Sequence, residues 1–207
     1  MQASEGGLRE HHKARRRSRI LDAARELLRE NPESLISTER IAERAEVAPA
    51  TVYNLIGPRE KIWEALAHGF TDTLECRLTG LEAGDPREVV RVTVDLFVAD
   101  PAVSRRVVRE WEESGLVLAR TPLTQLRRAM AAARSRGILR ADVDTDALAA
   151  VVGTSCVGAL HQWVAGLTDD DRFLARALFA LDVALAAAAA DAHRDELLAP
   201  LRGGGAR

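Results

Sequence analysis

This 207-residue chain lacks a strong charge of either sign: 29 Lys and Arg stand against 31 Asp and Glu, a formal net charge of −2. So balanced a chain does not attract nucleic acid with its whole body, and any such partner must be met by a local cluster. Cysteine is scarce, with Cys76 and Cys156 far apart in sequence. Such a pair frames no disulfide scaffold, and free thiols in a cytoplasmic protein are the expectation. There is no Gly-rich phosphate loop, no Ser-bearing elbow and no metal-ligand spacing. His11 and His12 have no third or fourth ligand nearby. No catalytic residue, metal or cofactor is expected. The chain shows no secretory signal and no apolar run expected to span a bilayer. Alternation of apolar and polar residues, the mark of a half-buried strand, is missing throughout. Aromatic residues make up only 4% while 47% of residues are apolar, many of them alanine, which suits closely packed helices. The fold class is therefore all-α, with about nine helices.

What charge there is falls unevenly. Arg9, Lys13, Arg15, Arg16, Arg17 and Arg19 face one nearby acid, Glu10. Residues 1–18 read as a flexible basic arm. Beside a DNA-reading unit it would lie along phosphates or enter the minor groove, with Arg16, Arg17 and Arg19 nearest the folded part.

A first helix follows, because Ile20, Ala23, Ala24, Leu27 and Leu28 share one helical face. Asn31-Pro32 ends it, since the residue before proline is pushed out of the helical region. Ser37 or Thr38 caps a second helix whose buried side is Ile41, Ala42 and Ala45. Pro49 suits the first position of a third helix, which Gly57-Pro58 closes. Two short helices across a tight turn form a helix-turn-helix at about 37–56. Within it, Ser37 and Thr38 offer hydroxyls to phosphates. Pro49, Ala50, Thr51 and Asn54 form the outward, base-reading side: Asn pairs with adenine, and Ala and Thr methyls meet the thymine methyl. Many helical domains hold such a pair without touching DNA, and the pattern alone leaves that reading open.

The order Thr38-x-x-Ile41-Ala42-x-x-Ala45-x-Val47-x-x-x-Thr51-Val52-Tyr53-x-x-Ile56, followed by Arg59-Glu60, resembles the DNA-binding domain of the tetracycline-repressor family over about residues 16–70. The sequence departs from the family pattern at Glu46, where glycine is usual, at Ala48, where a Ser or Thr cap is common, at Ile56, often aromatic, and at Arg59, often Lys. The resemblance implies phosphate contacts from Tyr53 and from Arg59, whose planar fork binds phosphate well. It also implies a homodimer on a palindromic double-stranded operator, most commonly repressing transcription, with a small-molecule effector.

A fourth helix from Arg59 carries Ile62, Trp63, Leu66, Phe70, Leu74 and Leu78 and ends near Gly84. Asp85-Pro86 starts a helix over Val89–Val98, apolar almost all round and hence buried. Asp100-Pro101 and Thr121-Pro122 start two more, the second closed by Gly137. Ala147–Val164 and a last helix from Thr168-Asp169 to Ala190 are too apolar to hide within one subunit. Paired with the same two from a second copy, they would form a four-helix bundle; the other reading is that both face their own core. Gly153, Val157, Leu160, Leu174, Leu178, Leu181 and Leu185 are the interface candidates. Phe97, Trp111, Met130 and Trp163 are candidates to line an apolar effector pocket, with Glu112, His161 and Gln162 as polar anchors. The domain division expected is thus an arm (1–18), a DNA-binding domain (19–65), an effector and dimerisation domain (66–200) and a loose tail (201–207).

Two other classes stand beside this reading. A helical adaptor would use the same helix pair to bind protein. An enzyme would need Cys156 and His161 to act together, but five positions set them about 140° apart around a helix.

Overall fold

The computed structural model describes the backbone of residues 2–34, 36–79, 85–110 and 114–203, and side chains of 9–34, 36–79, 85–110 and 122–202. Trp111 and Glu112 lie outside the described residues. Helices account for most of the described chain. They are α1 (Gln2–Glu30), α2 (Thr38–Arg44), α3 (Pro49–Leu55), α4 (Arg59–Thr79), α5 (Pro86–Val98), α6 (Pro101–Glu110), α7 (Ser114–Ser135), α8 (Thr145–Val164), α9 (Asp170–Ala188) and α10 (Arg194–Gly203). A single 3-10 turn, Asp191–His193, joins the last two. Among the described residues the only β pairing is an isolated antiparallel bridge between Leu139 and Ala189.

The chain divides into two compact units, residues 1–69 with 100–112, and residues 70–99 with 113–207. The first is built around the predicted face of α1: Ile20, Ala23, Ala24, Leu27 and Leu28 are all buried. Against them pack Ile41, Ala42 and Ala45 of α2, Val52 of α3, and Val103 and Val107 of α6, and Ile62 and Leu66 of α4 are buried in the same unit. Each large side chain removed from water here contributes about 1.5–3 kcal/mol. The sequence division assigned α6 to the second domain. The structure places it in the first, because Arg106 reaches the Pro32 carbonyl at 3.2 Å and Arg29 pairs with Asp100 at 2.6 Å.

In the second unit α8 packs between α7 and α9, while α5 packs on α7 and α9, and α10 covers α9. Trp163 is fully buried, stacked on Phe173 at 5.4 Å, and its indole N–H donates to Asp170 at 2.6 Å. Arg87 of α5 pairs with the mostly buried Asp182 of α9 at 2.7 Å.

Several expectations are corrected. Residues 2–18 continue α1 rather than forming a loose arm: no proline interrupts them, and Lys, Arg, Ala and Leu favour helix. Helix α7 begins at Ser114, with Pro122 inside it rather than opening it. One face of α5 is wet, with Arg91 and Asp95 exposed. The helix from Asp170 is not the last, because α10 follows it, so the expected tail at 201–207 begins within a helix. By length and composition alone α8 is long and apolar enough to cross a bilayer, a test that the core helix of a soluble protein also passes.

Candidate nucleic-acid interface

The reading head is assembled by caps and turns. Ser37 caps α2 by accepting from the Arg40 amide at 3.3 Å. Helix α2 ends in a paired closure, Val47 N–H to Ala42 carbonyl at 2.9 Å and Glu46 N–H to Glu43 carbonyl at 3.1 Å. That motif needs a left-handed residue, and Glu46 supplies it at φ 52°. Glycine takes this conformation without cost, whereas an L residue is strained in it. The family's usual glycine is therefore absent while the turn geometry that demands it is kept. Arg19 of α1 donates to the carbonyls of Ala45 and Glu46 and so ties the turn to α1. Arg17 donates to the Leu55 carbonyl at 3.1 Å at the far end of α3. Gly57, at φ 115°, then turns the chain into α4.

These constraints fix which side of α3 faces outward. Val52 is fully buried and anchors it, while Pro49, Ala50, Asn54 and Tyr53 are exposed and Thr51 is half-buried. Tyr53 is 63% exposed, so its ring is no packing element of α1. Beside this face lies a polar concavity of about 530 Å³ lined by His12, Arg15, Arg16, Arg19, Glu46, Val47, Ala48 and Thr51. His12 and Arg15 were not among the sequence candidates. Their signal is the spacing 12, 15, 16, 19, one face of a helix, invisible while residues 1–18 were read as a loose arm.

The other candidates divide. Arg16 is exposed in the concavity, and Thr38 is half-buried at the start of α2. Arg17 and Arg19 are engaged with backbone carbonyls and act first as ties that hold the head together. Arg59 faces Glu110, Nη2 to Oε2 3.6 Å, with its guanidinium 5.9 Å from the centre of the Trp63 ring.

The second unit contains an apolar cavity of about 50 Å³. Its walls include Val90, Val94 and Phe97 of α5, Pro122 and Leu126 of α7, Gly153, Cys156, Val157 and Leu160 of α8, and Phe173 of α9. Among the described residues, Thr93 and Cys156 are the only polar side chains on them. The Thr93 hydroxyl donates to the Val89 carbonyl at 2.7 Å, and burial pushes the Cys156 thiol up to about 11. Of the described effector candidates only Phe97 lines this space. Met130 and Trp163 are fully buried elsewhere in the core, and His161 and Gln162 are exposed, Gln162 accepting from Arg176. Cys156 and His161 thus occupy different sides of α8.

Interface candidates are redistributed as well. Gly153, Val157 and Leu160 face the cavity, Leu181 and Leu185 are buried in their own unit, and Leu174 and Leu178 are half-buried. The outward stripe of α8 is instead Val151, Ser155, Gly158 and Gln162, and that of α9 is Arg172, Arg176, Phe179 and Val183. Val151, Phe179 and Val183 are 62%, 55% and 45% exposed, large apolar side chains with no cover in one copy.

Comparison with known proteins agrees with this architecture. The family model described as bacterial regulatory proteins, tetR family, matches residues 20–55. Among curated proteins none matches. Among solved structures, SmeT, the repressor of the Stenotrophomonas maltophilia multidrug efflux pump SmeDEF, is 25% identical with a TM-score of 0.60, covering 84% of this chain and 91% of that one. RolR in complex with resorcinol is 19% identical with a TM-score of 0.63, over 96% of this chain and 98% of that one. NalD, the secondary repressor of the MexAB-OprM multidrug efflux pump in Pseudomonas aeruginosa, is 19% identical at a TM-score of 0.57, over 86% and 99%. The last two show likeness of fold alone. Residues 20–55 thus match the helix-turn-helix domain of bacterial regulatory proteins of the tetR family, with an exposed third helix, and the all-α chain is similar in fold to the repressor SmeT.

Proposed function

We propose that the chain is a transcriptional repressor that binds a two-fold operator as a homodimer and is released by a small apolar ligand. The observation that carries the reading is the exposed face Pro49, Ala50, Tyr53 and Asn54 of α3, held by buried Val52 and bordered by the basic concavity of α1. The face itself carries no charge. Base contacts through Ala50, Thr51 and Asn54 give sequence preference, and phosphate contacts from Tyr53, Thr38, Arg16, Arg15 and His12 give most of the affinity.

A single small head binds weakly. Two copies joined through the apolar stripes of α8 and α9 present two heads to half-sites about 34–36 Å apart or a multiple of it. The effector belongs in the apolar cavity. At about 50 Å³ it holds no drug-sized molecule as it stands, since such sites run to about 300–1,000 Å³. A ligand therefore selects or creates a wider form, and it releases DNA only in so far as it prefers that form. SmeT has been solved with triclosan, and a neutral, mostly apolar molecule of that kind suits these walls.

A gel shift on the DNA upstream of the chain's own gene tests the reading. A shifted band that is lost on adding the effector and in Tyr53→Ala supports it. A helical, folded chain that shifts no such duplex at low salt contradicts it.

A further inference from the structure

Arg59 opens α4, where the resemblance to the family implies a phosphate contact, yet here it is engaged from within the first unit. Its Nη2 lies 3.6 Å from Oε2 of Glu110, the last residue of α6. The other carboxylate oxygen of Glu110 lies 2.7 Å from Nη2 of Arg106, whose side chain is only 8% exposed and whose Nη1 donates to the Pro32 carbonyl at 3.2 Å. The two guanidinium groups flank one buried indole, Arg59 at 5.9 Å and Arg106 at 5.8 Å from the Trp63 ring centre. Among the described residues, two cations thus share the Glu110 carboxylate.

The two halves of the cluster are unequal. The Arg106 half is short, buried and backed by a carbonyl. The Arg59 half is beyond hydrogen-bond distance and its side chain is 39% exposed. Arg59 can therefore leave Glu110 without exposing an unpaired charge, because Arg106 remains. We propose that Glu110 is a built-in competitor of DNA: its carboxylate and a backbone phosphate contend for the same Arg59 guanidinium, and Glu110 thereby sets the operator affinity. The inference rests on the proposed DNA-binding function.

The test compares the full chain, Glu110→Gln, Arg59→Ala and the double variant, titrated by fluorescence anisotropy onto a duplex of the upstream DNA across a salt series. Glu110→Gln keeps an amide oxygen for Arg106 but removes the charge that holds Arg59. It should bind about three- to five-fold tighter for each protomer of the dimer, the worth of a partly exposed ion pair. Its plot of log affinity against log salt should steepen by about 1.8, one added phosphate contact from each protomer. Neither gain should appear in the Arg59→Ala background. Unchanged or weaker binding by Glu110→Gln overturns the inference, as does a gain that survives loss of Arg59. If Glu110→Gln melts too low to assay, Glu110→Asp keeps a carboxylate for Arg106 while withdrawing it by one methylene from Arg59. It should bind about two-fold tighter, and the absence of that gain overturns the inference equally. Failure of the unmodified chain to bind any duplex is a separate result and overturns the DNA-binding reading itself.

Discussion

Arg19 of α1 donates to the carbonyl of Ala45 at the end of α2, so the turn of the helix-turn-helix is fastened to the first helix by a side chain the sequence offered as a DNA contact. Replacing Arg19 with alanine should cost about 0.5–1.5 kcal/mol, the net worth of one such bond. It should also weaken operator binding by more than the loss of one phosphate contact, because α3 loses a fixed position. Thermal melts paired with anisotropy titrations check both. A variant that weakens binding with an unchanged melting temperature would return Arg19 to a simple phosphate contact.

Glu46 occupies the left-handed position in that turn at φ 52°. The strain of an L residue there is about 1–2 kcal/mol, partly offset by the greater freedom glycine has in the unfolded chain. Glu46→Gly should therefore raise stability by about 0.5–1 kcal/mol. Glu46→Val, branched at the strained position, should lower it. Denaturant midpoints give the sign directly.

Cys156 is held neutral by burial, its pKa raised from an ordinary 9.0 to about 11. Because the folded state keeps the proton longer than the unfolded one, this group's contribution to stability is complete below pH 9 and is lost as pH rises through 11. The wild-type chain should lose stability over that window more steeply than Cys156→Ala. At neutral pH iodoacetamide should label the exposed Cys76 well before Cys156. Ligand entry into the cavity should slow the labelling of Cys156 further.

Phe179 and Val183 are exposed on α9 while Leu181 and Leu185 are not. Phe179→Glu should shift the chain toward monomer in sedimentation and weaken DNA binding, with little change in monomer stability. Leu181→Ala should instead destabilise the fold by about 2–5 kcal/mol.

Much of this molecule was legible in its sequence. The face from Ile20 to Leu28, the helix starts at Ser37 and Asp85, and the stops at Pro32, Gly57 and Gly137 are local signals, and the structure follows them. The outward set on α3 followed from the same periodicity. What escaped was non-local. Helix α8 is apolar on nearly every side, so its sequence could not say which side meets its own core and which stays outside. Gly153, Val157 and Leu160 turned inward, and Val151 turned out. Arg17, Arg19 and Arg59 read as free cations because their partners are backbone carbonyls or a glutamate far along the chain. The basic face of α1 was hidden by treating a polar stretch as loose when its residues form helix.

The most direct test of the account is the salt dependence of binding to the upstream duplex, measured for the unmodified chain and for Tyr53→Ala. The uncharged reading face predicts that affinity rests on phosphates. Binding should therefore fall by about 10³-fold or more between 50 and 200 mM salt if six or more phosphates are neutralised by the dimer. Tyr53→Ala should weaken binding at every salt concentration while leaving the melting temperature unchanged. Binding that hardly varies with salt, or a Tyr53→Ala variant that binds as tightly as the unmodified chain, would contradict it.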